Sequence, residues 1–402
     1  MSRPKSAQEV GIMVGYPPSK DQAATLVNWQ DPPYNRWSFQ HVSSVLPTAM
    51  ISRGSESITP LARADQDLSG ITFEDDTMTI GEMLDSSYTD GFIVLKGGSI
   101  LFEQYFNDMS ENTRHLLMSV SKSIAGSLAG CLVAAGLLDP TKHVSHYVPE
   151  LAVSAFGDAT VQQTLDMQVS VVYSEEYANP QAEVQYHEKA AGWRPRSEGD
   201  IEGHYAFLQS LKKDDREHGL VFQYASPCTD VIGWVLERAA GIPYADLLSR
   251  EVWSKLGCEH DADITVDMFN SPLADGGISA TLRDSARFAQ MMLQNGSFND
   301  QQIVPADWIA DIRRHGDNAA WSRHELWPTV FPDGHYRAFW YNTEDDHHSY
   351  FAIGVFGQVF WIDPTAGVVI VKFSSQPKAT DPDMALLTLR GLAAIGKELV
   401  SG

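Results

Sequence analysis

Cysteine is scarce. The 402 residues hold three, Cys131, Cys228 and Cys258, with no CxxC pair. Three thiols cannot all pair with one another, so a disulfide scaffold is excluded and a reducing compartment is expected. Basic residues are also few: Lys and Arg total 29 against 52 Asp and Glu, a net charge of −23. Such a surface repels polyanions instead of releasing their counterions. Nucleic acid and anionic membrane surfaces are therefore not expected partners, whereas an amine-bearing small molecule would be drawn in. Long apolar runs are missing. The longest, around residues 124–138, carries Gly and Ser and is too short to span a bilayer. The apolar run at 11–15 is too brief for a signal-peptide core, and a soluble, cytoplasmic chain is the expectation. No repeat with a period of roughly 20–50 residues is present, which argues against a solenoid or propeller.

Several catalytic signatures are absent too. There is no GxSxG nucleophile elbow, no HExxH, no P-loop and no dinucleotide-binding glycine fingerprint. The pair His143/His146 and the run Asp345-Asp346-His347-His348 lack a third spaced ligand and read as solvated loops. No metal or organic cofactor is expected.

What is present is the composition of a packed globular protein, 43% hydrophobic with 10 Trp, 14 Tyr and 17 Phe. Residues 1–85 are rich in Pro, Ser and acids and read as an irregular arm packed on the body, 86–402. Two β-rich runs, 92–96 and 99–105, flank Gly97-Gly98, the pattern of a tight hairpin. Apolar spacing of three and four predicts helices over 120–138, 206–213, 229–240, 245–256, 282–294 and 384–399. Strands are predicted over 336–341, 350–362 and 368–374. The expected fold is α+β: one antiparallel sheet closed by both ends of the body (about 86–110 and 275–402), with a helical lobe (about 111–274) inserted.

Ser-x-x-Lys occurs four times and is weak by itself. Only Ser119 and Lys122 sit where a predicted apolar helix begins. A three-residue step stacks both side chains on one helix face, so the amine can reach the hydroxyl, and the helix N-terminus favours negative charge developing nearby. A desolvated lysine loses its charge more readily and can act as base or proton relay. The same residues also suit a serine that caps the helix beside a solvated lysine.

The run His115-Leu-Leu-Met-Ser119-Val-Ser-Lys122-Ser-Ile-Ala-Gly126, followed by Gly136-Leu-Leu-Asp139-Pro and Val144-Ser-His-Tyr147-Val-Pro149-Glu-Leu151, resembles the active-site helix of class C β-lactamases, DD-peptidases and related esterases. Gly241-Ile-Pro-Tyr244, Trp253-Ser-Lys-Leu256-Gly257 and Gly276-Gly-Ile-Ser279 follow in the same order, so the resemblance covers about 90–400. It implies a β-lactamase/DD-peptidase-like fold with Ser119 as nucleophile and Lys122 as its partner. Tyr224, in Phe222-Gln-Tyr224-Ala-Ser226, matches the family's second catalytic element, although Ser226 stands where the family has Asn. A phenol beside a lysine ammonium would have its anion stabilised and could take the serine proton. The family's Lys-Thr-Gly, which holds substrate carboxylates, is missing; Ala352-Ile-Gly354-Val355 takes its place, which argues against β-lactamase and cell-wall peptidase activity. The N–H groups of Val355 and Ser119 would still form an oxyanion hole.

Within this superfamily the loop Tyr173-Ser-Glu-Glu-Tyr177-Ala-Asn-Pro180 through Glu188, with Gly357-Gln358 and Trp361-Ile-Asp-Pro364, is similar to the 6-aminohexanoate-dimer hydrolases of the nylon-oligomer branch. The resemblance implies that Tyr177 contacts the reacting amide and that Glu188, where the branch has Asp, receives the substrate's amine. Asp275 stands where Asn is expected. Phe339, Trp340 and Tyr341 are candidates for the apolar wall of the cleft or for core. The implied activity is hydrolysis of a linear ω-amino-acid amide through an acyl-enzyme. A carboxylesterase of short acyl esters and a non-catalytic amine- or peptide-binding homologue are the alternatives. A homodimer is expected only from the general frequency of two-fold assemblies.

Overall fold

The computed structural model describes residues 3–74 and 77–401. A seven-stranded antiparallel sheet forms the larger lobe. Numbered within that sheet, its strands are β1 (Thr89–Lys96), β2 (Ser99–Tyr105), β3 (His335–Arg337), β4 (Trp340–Asn342), β5 (Tyr350–Gly354), β6 (Gln358–Asp363) and β7 (Val368–Ser374). Their spatial order is β3-β4-β5-β6-β7-β1-β2, so the first and last strands of the body meet at β1 and β7. Gly97 and Gly98, both at positive φ, make the β1–β2 turn, which matches the right-handed twist of the strands it joins.

The structure breaks two of the predicted strands. Ala338 (φ 46°) and Phe339 (φ 64°) turn the chain between β3 and β4, and Phe356 (φ 61°) with Gly357 (φ 93°) turns it between β5 and β6. Both predicted runs are mostly apolar because both strands of each hairpin are largely buried, and the interruptions at Arg337 and at Gly354, Gly357 and Gln358 are not enough to mark the turns. Some helices end earlier than predicted, although those at 227–240 and 382–401 do not. The first, α1 (Val120–Ala134), stops before Gly136 at φ 70°, and the run at 245–256 divides into Tyr244–Glu251 and a single 3-10 turn, Trp253–Lys255.

Helix α1 is buried on nearly every side. Its small residues allow that: a Cβ at Gly126 would lie 2.0 Å from the Ala338 carbonyl oxygen, and one at Gly130 only 2.3 Å from the Trp308 ring. Helix α2 (Pro227–Ala240) begins with a proline in its first turn and ends at Gly241, φ 70°, a helix start and stop that need no long-range contact. Helix α3 (Leu282–Leu293), capped by Thr281, packs on β1, β6 and β7. The C-terminal helix α4 (Pro382–Ser401) buries Leu389, Leu392 and Ile395, and its Leu399 carbonyl accepts a hydrogen bond from Lys96 of β1 at 2.6 Å.

The N-terminal 85 residues are more ordered than an irregular arm. Thr48–Ile51 joins a second antiparallel sheet with Ala262–Thr265, Ile278–Ala280 and His115–Leu116, and Ile80–Ser86 is a helix with a complete capping box. Trp29 and Phe39 pack with Met118, Trp193 and Phe356 in a separate apolar cluster beneath the cleft. Among the described residues no helix is long and apolar enough to cross a membrane, and the three cysteines are unpaired.

Candidate active site

The strand His115–Leu116 delivers the chain to Met118, whose φ of 49° is unusual for a residue with a side chain and marks a turn held by its surroundings. Ser119 follows at the start of α1, and its hydroxyl makes no cap hydrogen bond to the helix. Instead it accepts one from Lys122 Nζ at 2.9 Å. Lys122 is 1% exposed. It also donates to the Asp275 carbonyl at 2.7 Å and lies 3.7 Å from that residue's carboxylate. The amine sits 5.4 Å from the centre of the Tyr224 ring.

Burial pushes the Tyr224 phenol well above its ordinary value; the Glu175 carboxylate adds to the rise, and a hydrogen bond with the Ser119 hydroxyl only partly opposes it. The resting site therefore holds a neutral phenol. Burial and the nearby acids thus oppose the stabilisation of the Tyr224 anion expected beside Lys122. Ser226, in place of the family's Asn, starts α2; its N–H donates to Glu175 Oε1 at 2.5 Å, and its own hydroxyl is buried without a partner.

Strand β5 ends against the nucleophile. A Cβ on Gly354 would stand 2.9 Å from the Leu117 carbonyl oxygen and 3.0 Å from Ser119 N, so only glycine lets the strand approach this closely. Val355 follows, and both it and Ser119 line each of two cavities. The smaller cavity, about 400 Å³, is walled by Tyr177, Glu188, Asp275, Trp193 and Gln30. The larger, about 1030 Å³, is a mainly apolar cleft walled by Tyr224, Trp327, Tyr341, Ile353 and Leu386, with Glu175 and Asp381 at its polar edges. Of the three aromatic residues considered for the wall, Tyr341 lines this cleft, whereas Phe339 and Trp340 are buried in the core. Among the described residues, neither cavity is lined by a lysine or arginine.

The predicted acids do not stand free. Glu188, on the helix Glu183–Ala190, is bound to the Arg194 guanidinium. Burial raises its carboxyl, and Arg194, Gln30 and His187 oppose that rise. An incoming amine at Glu188 would have to share it with Arg194. Asp275 directs its carbonyl to Lys122 and its N–H to Asp230 Oδ1 at 3.0 Å, while its Oδ1 is buried without a partner. Tyr177 lies between the two cavities; burial, with Glu175 and Glu188, holds its phenol protonated.

Three contributors have no sequence signal strong enough to single them out. Glu175, whose carboxyl is raised by burial with Lys122 opposing, is legible only as one acid of the pair before Tyr177. Gln30 arrives from the N-terminal arm, held by the Trp29 indole N–H to the Trp193 carbonyl at 2.9 Å. His187, next to Glu188 on the same helix, also lines the small cavity.

Residues 87–395 match the family described as Beta-lactamase. The chain is 39% identical over 370 residues to a 6-aminohexanoate-dimer hydrolase of Paenarthrobacter ureafaciens, covering 92% of this chain and 91% of the relative. Among solved structures, a Bacillus anthracis protein provisionally named as a 6-aminohexanoate-dimer hydrolase superposes with TM-score 0.85 at 29% identity, covering 95% of this chain and 98% of that one. A family VIII carboxylesterase shares the fold at TM-score 0.55 and 15% identity, over 78% of this chain and 92% of the other.

Proposed function

Because this chain belongs to the β-lactamase family, we propose that it is a serine hydrolase of linear ω-amino-acid amides, 6-aminohexanoate dimer or a close analogue, acting through an acyl-enzyme. The carrying observation is the 2.9 Å hydrogen bond from buried Lys122 to a Ser119 hydroxyl that caps nothing. Ser119 Oγ attacks the amide carbon as Lys122, acting in its unprotonated form, takes the serine proton, which then replaces the one that Tyr224 gives up. The neutral Tyr224 phenol is the donor suited to protonate the departing nitrogen as the C–N bond breaks. The N–H groups of Ser119 and Val355 stabilise the oxyanion. Water then attacks the Ser119 ester, releases the acid and returns the proton to serine. Two adjoining cavities, one with Glu188 and Asp275 in its wall and one edged by Glu175 and Asp381, with no lysine or arginine lining either among the described residues, suit an amine-bearing or neutral substrate better than one anchored by a carboxylate. The unpaired thiols fit a cytoplasmic setting.

The wide apolar cleft favours a second reading, a carboxylesterase of short acyl esters, whose fold the chain shares. One experiment separates them: kcat/KM for 6-aminohexanoate dimer, its N-acetyl form and short p-nitrophenyl esters, with a serine-reactive phosphonate mapped by mass spectrometry. Labelling at Ser119 and preference for the free-amine dimer support the amide hydrolase. Ester turnover without amide turnover transfers the assignment to the esterase. Labelling elsewhere, at Ser121 or Ser226, or no labelling, overturns both.

A further inference from the structure

Behind the small cavity three side chains from three separate helices converge. His187 comes from Glu183–Ala190, His204 from His204–Ser210 and Asp230 from α2. All three are at least 97% buried. His187 Nε2 and His204 Nε2 are 3.0 Å apart, and Asp230 Oδ2 lies 3.3 Å from the first and 3.2 Å from the second. The three donor atoms thus form a nearly equilateral triangle.

Protons satisfy that triangle poorly. If both imidazoles point N–H groups at Asp230 Oδ2, the two N–H groups are crowded side by side, because their nitrogens stand only 3.0 Å apart. If one proton is shared between the nitrogens, the carboxylate oxygen is left over, and Asp230 Oδ2 has no well-formed hydrogen bond in this buried place. A cation satisfies all three at once. Tetrahedral ligands at roughly 2.0–2.1 Å from a zinc ion lie about 3.3 Å from one another, close to the three separations seen.

The surroundings fix two of the three donors, while His204 Nδ1 is buried without a hydrogen-bond partner. The Tyr173 hydroxyl meets His187 Nδ1 at 3.0 Å, which fixes the ring with Nε2 inward, and Asp230 Oδ1 is occupied by the Asp275 N–H. Outer partners of this kind orient metal ligands.

We propose that His187, His204 and Asp230 bind a divalent first-row transition metal, zinc in the first place, with water as the remaining ligand. Two imidazoles and one carboxylate suit such an ion and not Mg²⁺ or Ca²⁺, which take oxygen ligands. The site is a positioning device. It ties three helices of the helical lobe together, and through Asp230, Asp275 and Lys122 it adjoins the nucleophile without touching it.

The test uses the full chain, produced in zinc-supplemented medium, dialysed against metal-free buffer and assayed by inductively coupled plasma mass spectrometry. About one zinc per chain is expected. Asp230→Asn and His204→Ala should retain roughly tenfold less or lower, and the exposed control His315→Ala should match the wild type. A second measurement needs no variant. Cobalt(II) added to the chelator-treated native chain should develop intense tetrahedral visible absorption saturating at about one equivalent, and zinc should abolish it. Retention well below one ion per chain together with no cobalt band, or equal retention in wild type and both variants, overturns the proposal. Metal content is read without a substrate, so the result stands apart from the hydrolase assignment.

Discussion

Lys122 Nζ is held by the main-chain carbonyl of Asp275 at 2.7 Å, a shorter contact than the 3.7 Å to that residue's carboxylate. The lysine is thus positioned mainly by backbone, and the Asp275 side chain can change without releasing it. If Lys122 and Tyr224 handle one proton together, Lys122→Ala and Tyr224→Phe each lower kcat by roughly 10² or more, and the double variant loses little beyond the worse single one. Fully additive losses in pre-steady-state kinetics would assign one of the two to binding alone.

Removing carboxylate charge from the small cavity should weaken amine recognition and spare the chemistry. Glu188→Gln releases Arg194 from its partner, so the variant loses an anion and uncovers a cation together. With Asp275→Asn added, KM for free-amine amides should rise roughly tenfold while kcat on a neutral ester stays within about twofold. Salt should raise the wild-type KM for the amine substrate by screening. An unchanged ratio of free-amine to N-acetyl substrate would refute the amine site.

Gly354→Ala tests the close approach of β5 to the nucleophile. The new Cβ meets the Leu117 carbonyl oxygen, Met118 Cβ and Ser119 N at 2.9–3.0 Å, and backbone must move. Misplacement of reacting groups by an ångström costs on the order of 10² in rate, whereas overpacking costs about 1–3 kcal/mol of stability. We expect kcat to fall for amide and ester alike in a folded protein; wild-type kcat with wild-type Tm would show that this contact does not position Ser119.

Lys372 supplies a pH-dependent stability term. It is fully buried in β7 against the Ser374 hydroxyl, and burial pushes its amine down to about 7, with Asp90 opposing. The unfolded chain holds this proton up to about pH 10.4. Between those values the unfolded state binds more protons, so this group's contribution to stability rises with pH from about 7 toward 10 and is smallest below 7. The stability difference between wild type and Lys372→Met, measured by urea unfolding at each pH, should shift in favour of wild type across that window. A difference that stays flat would mean that Lys372 is charged in the fold.

Local rules made part of the protein legible without coordinates. The Ser119–Lys122 pair needs only a three-residue step on a helix, the β1–β2 turn only two adjacent glycines, and the end of α2 only Gly241, since each is decided by neighbours in the chain. The family resemblance added Tyr224, Tyr177, Glu188, Asp275 and the backbone of Val355, and the fold brings all of them to the walls of two cavities that meet at Ser119. Tertiary structure alone decided their states. Nothing in the spacing of Glu188 and Arg194 fixes that they pair, and the protonation of Tyr224 follows from how deeply the closed cleft buries it beside Glu175. The breaks at Ala338–Phe339 and Val355–Gly357 are missed because a hairpin buried on both strands reads as one mostly apolar run, despite Arg337, Gly354 and Gly357 within them. Gln30 and the His187–His204–Asp230 triangle lie furthest from anything legible in sequence. Their partners are remote along the chain, and only the packing of arm and helices sets distances of a few ångströms between them.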